Sequence, residues 1–278
     1  MVNTASGRKQ DPRYLTVDGG RIAYDLQGEG PLVLLLPGMG ELRSSYRFLA
    51  PQLVEAGYQV AAVDLRGHGD SDPTFDSYGD VETASDIAAL LRHVGSPAVV
   101  VGNSMSAASA VIAAAEHPEL TEALVLIGPF VRNPTHVSTF QRLLLRVALG
   151  GPWARAMWNA YLPTLYSGRK PDDFEHYRKT VLAAMKRPGY TKAFKLTTRA
   201  DHEHAEHALG GVQAPSLVVM GHQDPDFADP AAEASWVSNA LGSAIAIVDN
   251  AGHYPHAQQP RTTGDAIIGF LRNVHRHA

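Results

Sequence analysis

Short runs of apolar, mostly β-branched residues recur along the chain, separated by longer stretches in which apolar positions have a helical spacing. Runs of about four to eight such residues are typical of buried parallel strands, and helices with one apolar face cover such a sheet. Six of these runs start at residues 31, 58, 97, 123, 216 and 244: PLVLLLPG, YQVAAVDL, PAVVVGN, ALVLIGP, SLVVMG and AIAIVDN. The alternation predicts an α/β fold, with a mostly parallel central sheet flanked by helices on both faces.

Three further segments predict the elements around the first strands. The sequence RYLTVDGGRIAYDLQG (13–28) carries turn residues between two extended runs, which indicates an antiparallel hairpin. The stretches SSYRFLAPQLVEAG (44–57) and DVETASDIAALLRHVG (80–95) have the pattern of helices. Both would serve as crossovers between parallel strands.

The strand–helix alternation stops at Phe130 and resumes near Ala214. The interval 131–211 reads as several helices punctuated by Pro and Gly, and it holds 13 Lys and Arg against 6 Asp and Glu, a net charge of +7, while the rest of the chain sums to −11. We therefore predict a core domain in two parts, 1–130 and 212–278, with a helical cap formed by 131–211. The cap's positive charge would either attract anionic substrates or complement the acidic core across their interface.

Composition narrows the class of protein. The 278 residues are 45% hydrophobic and 19% charged, values typical of a globular protein with a substantial core. The absence of cysteine excludes disulfides, thiolate nucleophiles and cysteine metal sites. A net charge of −4 argues against nucleic-acid binding, and no segment has the apolar length of a signal peptide or a membrane span. We expect a cytoplasmic protein that acts on a small molecule, with neither nucleic acid nor membrane as partner.

The stretch VVVGNSMSAAS (99–109) places a serine between a predicted strand and a predicted helix. In a Gly-x-Ser-x-small turn the chain bends so sharply that the serine hydroxyl stands exposed above the sheet, and here the small residues are Gly102 and Ser106. The alternative is that Ser104 is an ordinary N-terminal cap of the helix. The motif alone leaves both interpretations open.

Five motifs in order resemble the α/β-hydrolase superfamily, from about residue 20 to the C terminus. The matching stretches are LLLPGMG (34–40), VDLRGHGDSD (63–72), GNSMSA (102–107), MGHQDPDFADP (220–230) and NAGHYPHAQQP (250–260). The chain departs from the family where Pro37 replaces the commoner histidine and where Ser106 replaces the second glycine of the serine turn. The resemblance implies a serine hydrolase with an inserted helical cap and with its functional residues in the order Ser, Asp, His.

The resemblance implies a catalytic triad of Ser104, Asp224 and His253. A serine hydroxyl is a weak nucleophile at neutral pH, so it needs a base such as an imidazole within hydrogen-bond reach, and a carboxylate behind that ring fixes its tautomer. Asp226 and Asp229 compete for the role of the acid, but the family's G-x-x-D pattern matches Asp224. Some relatives carry the acid after an earlier strand, where this chain has Gly128 and Pro129.

The same resemblance implies an oxyanion hole formed by the backbone N–H groups of Met39 and Met105. Asp64 and Arg66 are expected to hold the RGHGDSD loop in place rather than to take part in chemistry. The histidine-rich stretch 202–207 lacks the H-E-x-x-H spacing and is predicted to be a solvated helix face, so neither a metal nor a cofactor is expected. His256 would lie either in the pocket or on the surface.

The predicted activity is cleavage of a carboxylic ester or a lactone through an acyl-enzyme. The same triad serves thioesterases, C–C bond hydrolases and cofactor-free peroxidases, and some non-catalytic receptors share the fold, whereas epoxide hydrolases and haloalkane dehalogenases have aspartate where this chain has Ser104. Specificity would come from the cap, where Trp153, Met157 and Tyr161 recur every four residues. With Trp158, and with Tyr166 nearby, they would roof Ser104 and select apolar or aromatic substrates, unless they pack on other cap helices instead.

Overall fold

Strands from the whole length of the chain join one sheet in a computed structural model that describes residues 11–95, 97–133 and 151–277. The strand order is β1-β2-β4-β3-β5-β6-β7-β8; β1 with β2 and β2 with β4 are antiparallel, and all later pairs are parallel. The bounds are β1 Arg13–Val17, β2 Gly20–Gln27, β3 Leu32–Leu36, β4 Gln59–Val63, β5 Ala98–Asn103, β6 Thr121–Ile127, β7 Ser216–Gly221 and β8 Ala244–Val248. The predicted hairpin and all six predicted strands are present, so the α/β prediction is confirmed.

Helices flank the sheet on both faces. In chain order they are α1 Leu49–Glu55, α2 Asp80–Val94, α3 Met105–Glu116, α4 Ala154–Leu165, α5 Phe174–Ala184, α6 Tyr190–Thr197, α7 Glu203–Ala208, α8 Pro230–Leu241, α9 Pro255–Gln258 and α10 Pro260–His277. Both predicted crossover helices form, the first as α1 preceded by a 3-10 turn over Arg43–Tyr46.

The central strands β3 to β7 are buried on both faces because alternate side chains enter two separate apolar clusters. Leu34, Val100 and Leu124 pack with α2 and α3, whereas Val33, Val99 and Val125 pack with α1 and α10. The edge strand β8 departs from the prediction that it would be buried, because Ile245 is 41% exposed and Ile247 is 40% exposed. Its position at the sheet edge, with β7 as its one neighbour in the sheet, explains the difference.

An insertion, residues 128–215, separates β6 from β7, and its part from residue 151 onward carries the helices α4 to α7. These helices lie inside the segment predicted to be a cap. Arg132 pairs with Glu233 and Arg187 pairs with Asp70, so insertion cations meet core carboxylates at the interface. Among the described helices, none combines the length and the apolarity that crossing a membrane requires.

The parallel register brings the carboxyl ends of neighbouring strands to one edge of the sheet. Leu36 of β3 lies opposite Gly102 of β5, and Asn103 lies opposite Ile127 of β6, which in turn faces Val219 of β7. In open α/β sheets, ligands bind outside these ends. The loops that follow β3, β5 and β7 therefore converge on one place.

Candidate active site

The serine turn between β5 and α3 has strained backbone geometry. Ser104 has φ 59° and ψ −125°, a conformation that non-glycine residues rarely adopt, and its hydroxyl makes no capping hydrogen bond to α3. A side chain at position 102 would put its Cβ 2.4 Å from the carbonyl oxygen of Ser106, so only glycine fits there. The backbone therefore has the form of the exposed-nucleophile turn, and the capping interpretation of Ser104 is wrong.

The residue in place of the second glycine has its own contact. Ser106 is fully buried, and its hydroxyl donates to the carbonyl oxygen of Pro37 at 2.5 Å. Ser106 and Pro37, the two residues that depart from the family's motifs, therefore contact each other. Their hydrogen bond ties the serine turn to the loop after β3.

A histidine and a carboxylate form a buried hydrogen-bonded pair at the same edge of the sheet. Nδ1 of His253 donates to Oδ2 of Asp224 at 2.7 Å, and both side chains are almost inaccessible to solvent. Because a carboxylate accepts this bond, Nδ1 carries the proton and Nε2 is the nitrogen left for other chemistry. Gly128 leaves room for the pair: a Cβ there would lie 3.1 Å from Nδ1.

Asn103 and Phe130 connect the serine turn to the histidine loop. The Asn103 side-chain amide donates to the backbone carbonyl oxygens of Ile127, at 3.0 Å, and of His253, at 3.3 Å. The Phe130 ring centroid lies 5.8 Å from that of His253, and the Phe130 backbone N–H donates to the carbonyl oxygen of Ser104 at 3.3 Å. The structure therefore brings the three predicted triad residues into one cluster.

The environment of His253 favours its protonated form. Burial by itself opposes the charge, but the carboxylates of Asp224, Asp226 and Glu41 outweigh burial and raise the pKa of His253 to about 9. A ring in these surroundings stabilises an imidazolium, the species that a general base becomes when it accepts a proton.

The two competing aspartates have different partners. Asp229 caps α8, where its Oδ1 accepts from the backbone N–H of Ala232 at 3.0 Å. Asp226 lies beside the pair: its Oδ2 is 3.8 Å from Nδ1 of His253, and its backbone N–H donates to Oδ1 of Asp224 at 3.1 Å. Asp224 is thus the carboxylate in direct hydrogen bond with the ring.

The loop after β3 packs directly on the serine turn. A Cβ at Gly38 would lie 3.0 Å from the Cβ of Ser104, so the absence of a side chain allows this approach. Neither Met39 nor Met105 donates its backbone N–H to another residue in the ranges that the structure describes. Both N–H groups are therefore free to bind an external acceptor, as the predicted oxyanion hole requires.

Glu41 is a buried acid in the same loop that the sequence analysis missed. Its side chain is fully buried, Oε2 accepts a hydrogen bond from the Tyr177 hydroxyl of α5, and Oε1 has no partner among the described residues. Burial raises the pKa of Glu41 to about 7. Its position directly after PGMG, in the loop implied to hold an oxyanion donor, was the signal that could have drawn attention to it.

His256 is buried, which decides against the surface interpretation. Its ring stacks on Tyr46 with centroids 4.6 Å apart, and burial lowers the pKa of His256 to about 3. The His256 ring is therefore neutral at physiological pH.

The four residues predicted to form a roof divide between two faces of α4. Trp158 is 2% exposed and packs against the loop after β3, where a Cβ at Gly40 would lie 2.7 Å from the indole ring. Trp153, Met157 and Tyr161 share another face, as their spacing predicts, but they are 48%, 40% and 37% exposed. That face is thus partly exposed among the residues that the structure describes, and its contact with substrate stays a prediction.

Tyr166, just beyond α4, is fully buried between aromatic neighbours. Its ring lies 4.6 Å from that of Phe174 and 4.7 Å from that of Tyr254. It belongs to an apolar cluster that joins the insertion to the histidine loop.

The histidine-rich stretch and the RGHGDSD loop have structural contacts. His202 pairs with buried Asp80 at 2.6 Å, and His204 pairs with Glu116 at 3.2 Å. Asp64 accepts from the backbone N–H of Asp70 at 2.9 Å, as a residue that holds this loop in place would. In the described parts of the chain, the one group whose potential metal-binding atoms lie within 4.8 Å of each other is Asp224, Asp226 and His253, where hydrogen bonding explains the arrangement.

Comparisons with known proteins agree with this geometry. A family model described as "Alpha/beta hydrolase family" matches residues 33–266. The chain is 28% identical over 266 residues to 2-(acetamidomethylene)succinate hydrolase of Mesorhizobium japonicum, covering 92% of this chain and 94% of the relative. It is 28% identical to pimeloyl-[acyl-carrier protein] methyl ester esterase of Neisseria meningitidis over 249 residues, covering 87% and 94%. A solved structure of a thermophilic esterase from Thermogutta terrifontis superposes with TM-score 0.81 at 23% identity, covering 96% and 100%. The chain belongs to the alpha/beta hydrolase family.

Proposed function

We propose that the protein is a serine hydrolase that cleaves a carboxylic ester or a lactone through an acyl-enzyme on Ser104. The observation that carries the proposal is the buried His253–Asp224 pair, with an Nδ1–Oδ2 distance of 2.7 Å, held by Asn103 beside a serine at φ 59°. A strained serine whose hydroxyl does not cap α3 and an imidazole whose Nδ1 is held by Asp224 are the two parts that nucleophilic acyl transfer needs, and the ring accepts the proton in its neutral form, which is populated as pH rises toward its pKa of about 9.

In the proposed first half-reaction, Oγ of Ser104 attacks the substrate carbonyl carbon while Nε2 of His253 takes the hydroxyl proton. Collapse of the tetrahedral intermediate breaks the carbon–oxygen bond to the alcohol, which leaves with that proton. In the second half-reaction water gives one proton to His253 while its oxygen attacks the acyl carbon; the bond from that carbon to Oγ then breaks, Oγ takes the proton back from His253, and the carboxylic acid is released. Asp224 stabilises the imidazolium in both halves and keeps its own charge.

The developing oxyanion is proposed to accept hydrogen bonds from the backbone N–H groups of Met39 and Met105. Neither donor has a partner in the described part of the chain, and Gly38, next to Met39, brings its loop against the serine turn that ends at Met105. Removal of one such donor typically reduces kcat by about two to three orders of magnitude. In this proposal the loop after β3 acts through its backbone, which Gly38 allows to approach Ser104 closely.

For substrate class we propose an ester or lactone with an apolar or aromatic group, bound beneath the helical insertion acting as a cap. Trp158 packs on the loop that carries Met39, and Met39 packs against the apolar cluster that contains Trp158. The Neisseria relative, by its name, acts on a methyl ester, which supports the ester class over the other reactions that the same triad performs.

To test the proposal, the purified protein is incubated with a panel of esters, lactones, thioesters and diketones with a cleavable carbon–carbon bond, and the products are identified by mass spectrometry. We expect turnover of esters or lactones that Ser104→Ala abolishes and that Ser109→Ala retains, because Ser109 is a buried serine of the same helix whose hydroxyl faces the carbonyl oxygen of Met105 at 3.5 Å. A Ser104-dependent reaction confined to thioesters or diketones would reassign the bond type. Binding without turnover would instead indicate a receptor.

A further inference from the structure

The insertion contacts the acid–base pair through a tyrosine and a second carboxylate. The Tyr161 hydroxyl of α4 donates a hydrogen bond to Oδ1 of Asp226, whose other oxygen lies 3.8 Å from Nδ1 of His253. We propose that Tyr161 and Asp226 are positioning residues through which the helical insertion sets the base strength of His253, an inference that rests on the proposed function.

The geometry gives Asp226 two connections to the pair. Its carboxylate faces the ring nitrogen that Asp224 already binds, and its backbone N–H binds the other oxygen of Asp224 at 3.1 Å. The side chain is 15% exposed, so water screens its charge weakly. Asp226 therefore acts on His253 both by holding Asp224 and by its own negative charge.

Hydrogen bonds to backbone carbonyl oxygens tie the insertion to the histidine loop. The backbone N–H of His253 donates to the carbonyl oxygen of Leu165, the last residue of α4, at 2.8 Å. The Gln258 side chain donates to the carbonyl oxygens of Ser167 and Arg169 at 2.7 and 2.8 Å. A displacement of α4 would shift Tyr161 relative to Asp226 and His253 relative to Ser104 together.

The charged groups that face His253 decide in which direction its pKa should change in the variants. His253 is faced by Asp224 and Asp226 from the loop after β7 and by Glu41 from the loop after β3, while the neutral His256 lies on its own loop. Burial raises the pKa of Asp226, and the hydrogen bond from Tyr161 acts against that rise and favours the ionised carboxylate. Removal of the hydroxyl would partly neutralise Asp226 and so weaken His253 as a base.

The test is an NMR titration of the His253 ring in the full-length protein, together with the pH profile of kcat/KM on an ester. Asp226→Asn should lower the His253 pKa by about one to two units, since an opposite charge at this range shifts a pKa by that amount. Tyr161→Phe should shift it in the same direction by less. In the Asp226→Asn background, Tyr161→Phe should cause no further shift, because its effect passes through that carboxylate.

Asp249→Asn is the matched control, because it removes the same charge from an exposed position near the histidine loop, where its carboxylate pairs with surface His222. The proposal is wrong if Asp249→Asn and Asp226→Asn shift the His253 pKa equally. It is also wrong if the pKa shifts caused by Tyr161→Phe and Asp226→Asn add in the double variant. A Tyr161→Phe variant that raises KM and leaves the titration unchanged would make Tyr161 a substrate contact instead.

The titration distinguishes failure of this proposal from failure of the proposed function. The titration requires no turnover, so a protein that hydrolyses nothing through Ser104 still reports whether Asp226 sets the His253 pKa. If Asp226→Asn does not fold, Tyr161→Phe remains decisive, because it removes one hydroxyl from a side chain that is 37% exposed.

Discussion

The core sheet and the helical insertion contribute to the site in different ways. Core residues reach it from the carboxyl ends of strands: Ser104 directly follows β5, and Asp224 lies three residues after β7. Insertion residues reach it from the sides of helices, so neighbours in sequence point apart: Trp158 is 2% exposed, whereas Met157 is 40% exposed. Local backbone geometry decides the position of the first group, and packing between distant parts of the chain decides that of the second.

The largest effect should come from the core. We expect Ser104→Ala and His253→Ala each to reduce kcat on an active ester by about 10⁴- to 10⁶-fold, and the double variant to be no worse than either, since the residues act as one unit. Steady-state kinetics with unchanged far-UV circular dichroism would check this. Losses that multiply in the double variant would mean that the two residues act independently.

A comparison of two tryptophans tests the difference between the faces of α4. Trp158→Ala should lower the free energy of unfolding by about 3–5 kcal/mol, because it leaves a cavity beside Gly40 and Phe194. Trp153→Ala should lower the free energy of unfolding by about 1 kcal/mol or less, because the Trp153 side chain is 48% exposed. Urea unfolding of both variants measures the contrast, and equal losses would show that the two faces are packed alike.

Glu41 links the two regions, and its effect on stability should depend on pH. Burial raises its pKa from 4.5 to about 7, so the folded state holds a proton that the unfolded state releases, and stability falls as pH rises across that window. At about 1.4 kcal/mol per pKa unit, the loss is about 3 kcal/mol. Glu41→Gln should remove it, which makes the variant more stable than wild type at pH 8 but not at pH 4. A constant difference between the two proteins at both pH values would contradict a buried, titrating Glu41.

The smallest effect should come from the exposed face of α4. Alanine at Trp153 or Met157 should raise KM for bulky or aromatic esters by about tenfold or less and leave acetate esters nearly unchanged, because partly exposed contacts contribute little binding energy. A chain-length series of p-nitrophenyl esters measures the selectivity. An unchanged preference would place the substrate-binding roof on other residues.

Sequence alone determined the parts that depend on local pattern. The β-branched runs predict the strands because a strand buried on both faces must be apolar throughout, and the six runs are all strands in the structure. The spacing Gly102-x-Ser104-x-Ser106 predicts a sharp turn because only small residues fit two positions before and after the serine, and in the structure a Cβ at position 102 would lie 2.4 Å from the carbonyl oxygen of Ser106. The same pattern did not distinguish a nucleophile turn from a helix cap, which the φ of 59° at Ser104 decides.

Only the tertiary structure decided the parts that depend on which distant residues meet. Asp224 and Asp226 differ by two positions, and one hydrogen bond of 2.7 Å to His253 separates their roles. The burial of Glu41 and its bond to Tyr177 join residues 136 positions apart, a distance at which no local spacing rule applies. Hydrophobic periodicity predicts which face of a helix or strand is buried. Which group pairs with a buried charge depends on the packing of the whole chain.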